Sequence, residues 1–176
     1  MNISTILSKF ESIHADYEKA LNQYTETEFA LKPSEDAWSI GQMYQHLVSS
    51  LLVFHAKQVE NCLASTENAD KSKTMPGRIS FLLGSFPPIK IKVPASPEYT
   101  PLQPANKTAI QTKMPVILNK MRELAARLEK EKSVGKTKHP ALGYFNAEEW
   151  FRMIEMHFRH HLRQQKRIDA FLKSHK

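Results

Sequence analysis

The sequence has little that would build a disulfide-bonded, membrane-spanning or low-complexity protein. It contains a single cysteine, Cys62, so no disulfide can form within the chain, which fits a reducing compartment. No apolar run approaches the roughly 18 residues that a membrane-spanning helix needs, and the N-terminus does not read as a signal peptide. Only five glycines occur, and no long low-complexity tract indicates disorder. We therefore expect one globular domain over residues 1–176, cytoplasmic and without a membrane partner.

The basic residues are unevenly distributed. The formal net charge is +7, yet residues 1–70 carry four basic and ten acidic side chains, whereas residues 71–140 carry fourteen basic and four acidic ones. A basic surface can bind nucleic acid or an anionic ligand. Here the lysines and arginines follow helix faces and loops, without interleaved aromatic residues or a DNA-reading motif. We expect a solvated surface and no nucleic-acid partner.

Four segments carry apolar residues at the spacing of an amphipathic helix. They are residues 2–30, 39–64, 106–132 and 147–173. Pro115 should bend the third helix or mark a late start for it. Asn146 is a good N-cap for the fourth helix, and the acidic Glu148 and Glu149 follow in its first turn.

A long connection, residues 65–104, separates the second and third helices. Its prolines are Pro76, Pro87, Pro88, Pro94, Pro97, Pro101 and Pro104. Proline at this density opposes long helices and central strands, although a short helix over residues 76–83, ending at Gly84, fits. The pattern predicts an all-α fold: a four-helix bundle with a long proline-rich connection between helices 2 and 3.

Polar side chains occupy the middle of the apolar stripe of the fourth helix. At 100° per residue, His161 and Gln164 lie within about 40° of His157, on the same side as Trp150. Burying such groups without partners costs roughly 1–3 kcal/mol each. Two histidines at positions i and i+4 share one helix face and can bind one metal ion. The alternative is a pair of core histidines that bond to each other or to water.

A third metal ligand must come from another helix, and His46, in the middle of the second helix, is the best candidate. His160 lies on the flank of the stripe and is less central than its neighbour His161. The remaining histidines are expected to be structural or surface residues: His14, His55, His139 and His175. Cys62, at the end of an apolar helix, is expected to be a core residue.

Three segments of the sequence resemble a known family. They read WSIGQMYQHL over residues 38–47, HPALGYFNAEEW over residues 139–150 and HFRHHLRQ over residues 157–164. Together they are similar to the DinB superfamily, which includes DinB-like and YfiT-like metal-dependent enzymes. The resemblance implies a four-helix bundle and the metal ligands His46, His157 and His161.

Three imidazole ligands leave open positions on a divalent ion, as catalytic sites do. Nitrogen ligands suit Zn, Ni, Fe or Co without selecting among them. The resemblance implies a small-molecule substrate and a thiol-dependent S-transferase or hydrolase, because characterised relatives include thiol-dependent transferases and a maleylpyruvate isomerase. The cosubstrate would be a low-molecular-weight thiol.

The absence of an acidic residue from the inward stripe of the fourth helix bears on the reaction. Glu155 is expected to point outward, so no general base for hydrolysis is evident, which favours activation of a thiol or a coordinated substrate. The alternative function is a non-catalytic stress or scaffold protein with a vestigial or structural metal site. A homodimer formed through a flat helix face is also expected.

Overall fold

The structure, a computed structural model, describes residues 2–86 and 100–175 and is mostly helical. Its helices are α1 (Ile3–Gln23), α2 (Glu26–Ala30), α3 (Ile40–Ser49), α4 (Ala56–Leu63), α5 (Met75–Leu83), α6 (Thr108–Gln111), α7 (Met114–Lys130) and α8 (Ala147–Lys173). A short π-helical segment (Ser50–His55), here named the π-turn, joins α3 to α4. Strands β1 (Lys136–His139) and β2 (Gly143–Asn146) form a hairpin. The helical content agrees with the predicted all-α class. Pro87, Pro88, Pro94 and Pro97 of the predicted connection lie outside the described residues.

The first predicted helix is two helices. Thr25 accepts a hydrogen bond from the backbone of Glu28, and the Glu28 side chain accepts one from the backbone of Thr25. This reciprocal capping box starts α2 afresh after the extended residue Tyr24. A continuous helix over residues 2–30 was therefore a wrong prediction, although the Thr-x-x-Glu pattern that breaks it is readable in the sequence.

The second predicted helix changes its geometry half-way. Ser39 and Gln42 form a capping box at the start of α3, and the chain then widens into the π-turn before α4. The wider turn shifts the helical phase, so Val53 is 73% exposed and Phe54 37% exposed, while His55 is buried. At regular helical spacing Phe54 would share a face with the buried Leu47 and Leu51, and the wider turn displaces it from that face.

The third predicted helix divides into α6 and α7, whereas the fourth begins where the sequence indicates. Helix α7 starts at Met114 with Pro115 in its first turn, which is the late start expected for this proline. Asn146 caps α8 through a capping box with Glu149. The short helix α5 ends at Gly84, whose φ of 61° is the left-handed conformation that favours glycine.

The β1–β2 hairpin, which periodicity did not predict, leads the chain from α7 into α8. Lys136 pairs with Asn146 and His139 with Gly143 in an antiparallel register. At Gly77, on α5, a Cβ would lie 2.3 Å from the carbonyl oxygen of Leu142, so α5 lies directly against the hairpin loop. The hairpin and α5 together cover the N-terminal part of α8.

Helix α8 lies at the centre of the packing and contacts α1, α3, α4 and α7. Hydrogen bonds between helices run through buried tyrosines: Tyr17 donates to the carbonyl of Phe158, and Tyr44 donates to the carbonyl of Tyr17, both at 2.8 Å. Cys62 is fully buried, which confirms its expected core position. Among residues 2–86 and 100–175, no helix is both long and apolar enough to cross a membrane.

Candidate metal centre

Three imidazoles from two different elements meet in the interior. His46 lies in the last turns of α3, while His157 and His161 lie one turn apart in the middle of α8. The Nε2 atom of His157 is 3.1 Å from the Nε2 atom of His46 and 3.1 Å from that of His161. All three ligand atoms lie within 4.8 Å of one another. The structure thus brings together the three residues that the sequence singled out.

Burial keeps these imidazoles uncharged. It lowers the pKa of His46 to about 4 and that of His161 to about 3, since a charged imidazolium loses hydration in the interior. Burial, reinforced by the neighbouring imidazoles, also holds the pKa of His157 well below its ordinary value. At neutral pH the cluster therefore offers neutral nitrogens, which is the form that coordinates a metal.

Gln164 decides which nitrogen of His161 faces the cluster as a lone pair. Its Oε1 atom lies 2.8 Å from Nδ1 of His161, and an amide oxygen can only accept a hydrogen bond. Nδ1 therefore carries the proton, and Nε2 presents its lone pair towards His157. Gln164, which helical spacing places on the same stripe as His157 and His161, is thus bonded to His161.

The protons available do not satisfy the three converging nitrogens. Neutral His157 carries at most one proton on Nε2, so it can donate one hydrogen bond, either to His46 or to His161. Both Nε2–Nε2 distances are nevertheless of hydrogen-bond length. A cation that accepts all three Nε2 lone pairs resolves this mismatch. His46 and His157 are only partly buried, so the cluster is not sealed from its surroundings. The donor set therefore fits a divalent metal ion with open coordination positions, although metal binding itself stays a prediction.

Two further aromatic rings lie beside the cluster. The Trp38 ring lies 5.1 Å from the ring of His46, and the His160 ring lies 5.4 Å from that of His161. His160 packs edge-on against Phe86 and is not part of the three-histidine group found among the described residues. The flank position assigned to His160 from helical spacing accounts for this.

His55 is the residue near the site that sequence reasoning missed. It is 6% exposed, and its ring centroid lies 5.1 Å from that of His157. The other three histidines that were expected to be structural or surface residues lie away from the cluster. His14 bonds to the carbonyl of Met114, His139 accepts hydrogen bonds from the hairpin backbone, and His175 is exposed. Periodicity alone offered no signal for His55, because the π-turn displaces it.

Glu155 does not point into solvent, contrary to expectation. It is 1% exposed and forms an ion pair with Arg159, one turn along α8, at 2.7 Å. Arg159 also donates to the carbonyl oxygen of Gly84, so the end of α5 covers this face of the helix. The face looked solvent-exposed in the sequence because α5 was not expected to pack on it. Within the described part of the chain, no carboxylate joins the three-histidine group.

Comparison with known protein families identifies a family that matches this sequence. A sequence model of the DinB superfamily matches residues 9–165, which is most of the chain and includes all three clustered histidines. The sequence matches no curated protein and no solved structure. Since the match runs through every helix that builds the histidine cluster, the chain belongs to the DinB superfamily.

Proposed function

We propose that the protein holds a divalent metal ion through the Nε2 atoms of His46, His157 and His161 and acts on a small molecule as a thiol-dependent S-transferase or hydrolase. The observation that carries this proposal is the convergence of three neutral imidazole nitrogens within 4.8 Å. When bound, an ion of this kind lowers the pKa of a water or thiol and polarises a substrate oxygen.

The surroundings of the cluster favour a thiol over water as the activated group. Hydrolases usually place a general base beside the ion. Glu155 is the acidic residue nearest in sequence to the two ligands on α8, but it is engaged by Arg159 on another face of the helix. Activation of a thiol does not need a general base, because coordination to a metal is enough to deprotonate it.

The proposal includes the architecture that supports the site. We propose that the long helical segments α1, α3–α4, α7 and α8 form one four-helix bundle and that residues 1–176 are a single domain, with the proline-rich connection crossing between α4 and α7. The contacts of α8 with each of the other three segments support this arrangement. In such a bundle, ligands from facing helices meet in the core.

Metal analysis tests the site. Protein purified without a histidine tag should contain about one divalent ion per chain, and His157→Ala should contain none, because two imidazoles remain and the central one is lost. His175→Ala, which changes an exposed histidine, should keep the wild-type content. Equal metal content in wild type and His157→Ala would remove the basis of the proposal.

Turnover tests the reaction. Wild-type protein loaded with Zn, Ni, Fe or Co in turn is supplied with a low-molecular-weight thiol and an electrophilic small molecule, and thioether formation is followed. We expect His157→Ala to lose this activity. Should a metal-loaded wild type form thioether no faster than His157→Ala, the transferase assignment fails, and a non-catalytic protein with a structural metal becomes the better interpretation.

A further inference from the structure

His55 is a buried imidazole that the three-histidine site does not use. It lies at the end of the π-turn with 6% of its surface exposed. Its ring stands at 77° to the ring of His157, with the centroids 5.1 Å apart. Among the described residues, neither its Nδ1 atom nor Nδ1 of His157 has a hydrogen-bond partner. Two orphaned imidazole nitrogens therefore lie in neighbouring rings.

The π-turn is what brings His55 to this place. In a regular helix, a residue nine positions after His46 would lie about 180° around the helix axis from it. The π-turn holds one extra residue, which turns the later part of the helix back by roughly 100° relative to the earlier part. His55 therefore lies about a quarter turn from His46 and reaches the side of His157. Turns of this type occur frequently at functional sites.

The unsatisfied nitrogen of His157 matters once an ion is bound. A histidine that ligates through Nε2 carries its proton on Nδ1, and metal ligands normally donate this proton to a nearby group. For His161 that group is Gln164. For His157 the adjoining ring of His55 is the polar candidate outside the three ligands, because the remaining ring beside His157, that of Phe158, has no acceptor atom.

We propose that His55 is a positioning residue for the metal centre: when an ion is bound, His55 accepts the Nδ1 proton of His157, which has no other partner among the described residues, and thereby fixes the tautomer and ring orientation of this central ligand. The inference rests on the proposed metal site. It assigns to His55 the role for His157 that Gln164 has for His161, and it gives the π-turn a function.

Two substitutions separate hydrogen bonding from packing. His55→Phe keeps a buried ring without nitrogen atoms, and His55→Gln keeps an acceptor without the ring. The metal-free proteins are titrated with Co²⁺, and affinity is measured by competition with a chelator while the visible absorption of the bound ion is recorded. We expect His55→Phe to bind Co²⁺ about 10–100-fold more weakly, with an altered spectrum, and His55→Gln to recover most of the affinity and the wild-type spectrum.

A matched control uses the same substitution at a histidine outside the cluster. His139→Phe removes hydrogen bonds in the hairpin and should lower the melting temperature while leaving Co²⁺ affinity unchanged. If His55→Phe binds Co²⁺ with wild-type affinity and spectrum, His55 only packs and the inference is wrong. If His55→Gln is as impaired as His55→Phe, its nitrogen is not the relevant feature and the inference is equally wrong. Wild-type protein that takes up no Co²⁺ would overturn the metal site together with this role.

Discussion

The orientation of a single side-chain amide, that of Gln164, controls the ligand His161. Because Oε1 of Gln164 accepts the Nδ1 proton, His161 is held in one tautomer, and its Nε2 lone pair points into the cluster. Gln164→Leu should therefore weaken metal binding by about 10–100-fold, while Gln164→Glu, which still accepts the proton, should retain it. Chelator competition measures both affinities.

The neighbouring residue provides the control for that prediction. Gln165 is more deeply buried than Gln164, but it donates to the hydroxyl of Tyr24 at 3.1 Å, away from the histidines. Gln165→Leu should lower stability and keep the metal affinity of the wild type. If both leucine variants bind metal as wild type does, the hydrogen bond to His161 is dispensable and the tautomer argument fails.

Among the secondary-structure elements, α8 depends on its N-terminal cap, since this helix carries two of the three candidate ligands. Asn146 accepts a hydrogen bond from the backbone of Glu149 at 2.9 Å and closes a capping box. Asn146→Ala should cost about 1 kcal/mol of folding free energy, a fall of roughly 2–4 °C in melting temperature for a chain of this size. Asn146→Asp keeps the acceptor and should melt close to wild type. Thermal denaturation compares the three proteins, and a wild-type melting temperature for Asn146→Ala would contradict the expectation.

Helix α5 depends on the close contact at Gly77. A Cβ there would lie 2.3 Å from the Leu142 carbonyl oxygen, which is backbone and cannot rotate away. We expect Gly77→Ala to push α5 off the hairpin and to speed amide hydrogen exchange in residues 75–83. Arg78→Ala, at the adjacent exposed position, should leave this exchange unchanged. Equal exchange in wild type and Gly77→Ala would show that the contact is not needed.

Across the whole molecule, neutral buried histidines couple folding to pH. Burial lowers the pKa of His46 to about 4 and the pKa values of His55 and His161 to about 3. In the unfolded chain these groups take up protons near pH 6.5, whereas the folded protein does not until the pH is much lower. Protonation therefore favours unfolding, so the metal-free protein should be most stable above pH 6.5 and lose stability progressively between pH 6.5 and about 4.

Chemical denaturation in the presence of a chelator measures this dependence. Each such histidine contributes a slope of up to about 1.4 kcal/mol per pH unit within that range. His55→Phe, with one fewer neutral buried histidine, should show a shallower slope than wild type. A free energy of unfolding that stays constant from pH 7 to pH 5 would contradict the prediction.

Local sequence signals determined much of this protein. The i, i+4 spacing of His157 and His161 and the N-cap Asn146 depend on hydrogen bonds and side-chain directions within a few residues, so the sequence alone places them. For Pro115 the sequence left a bend and a late start open, and the structure has the late start. The family motifs added His46, which helical spacing could only nominate, because its distance from α8 depends on how two helices pack.

Tertiary structure decided the remainder. The packing of α5 over Glu155 depends on contacts between residues far apart in the chain, and the π-turn that turns His55 towards His157 and the hairpin between α7 and α8 both interrupt the helical pattern. Helical periodicity assumes a constant 100° per residue and an exposed polar face; the π-turn breaks the first assumption and the packing of α5 breaks the second. The sequence by itself therefore determined the helical class and the start of α8 and named the three candidate ligands, whereas only the packing of the helices decided what surrounds the ligands.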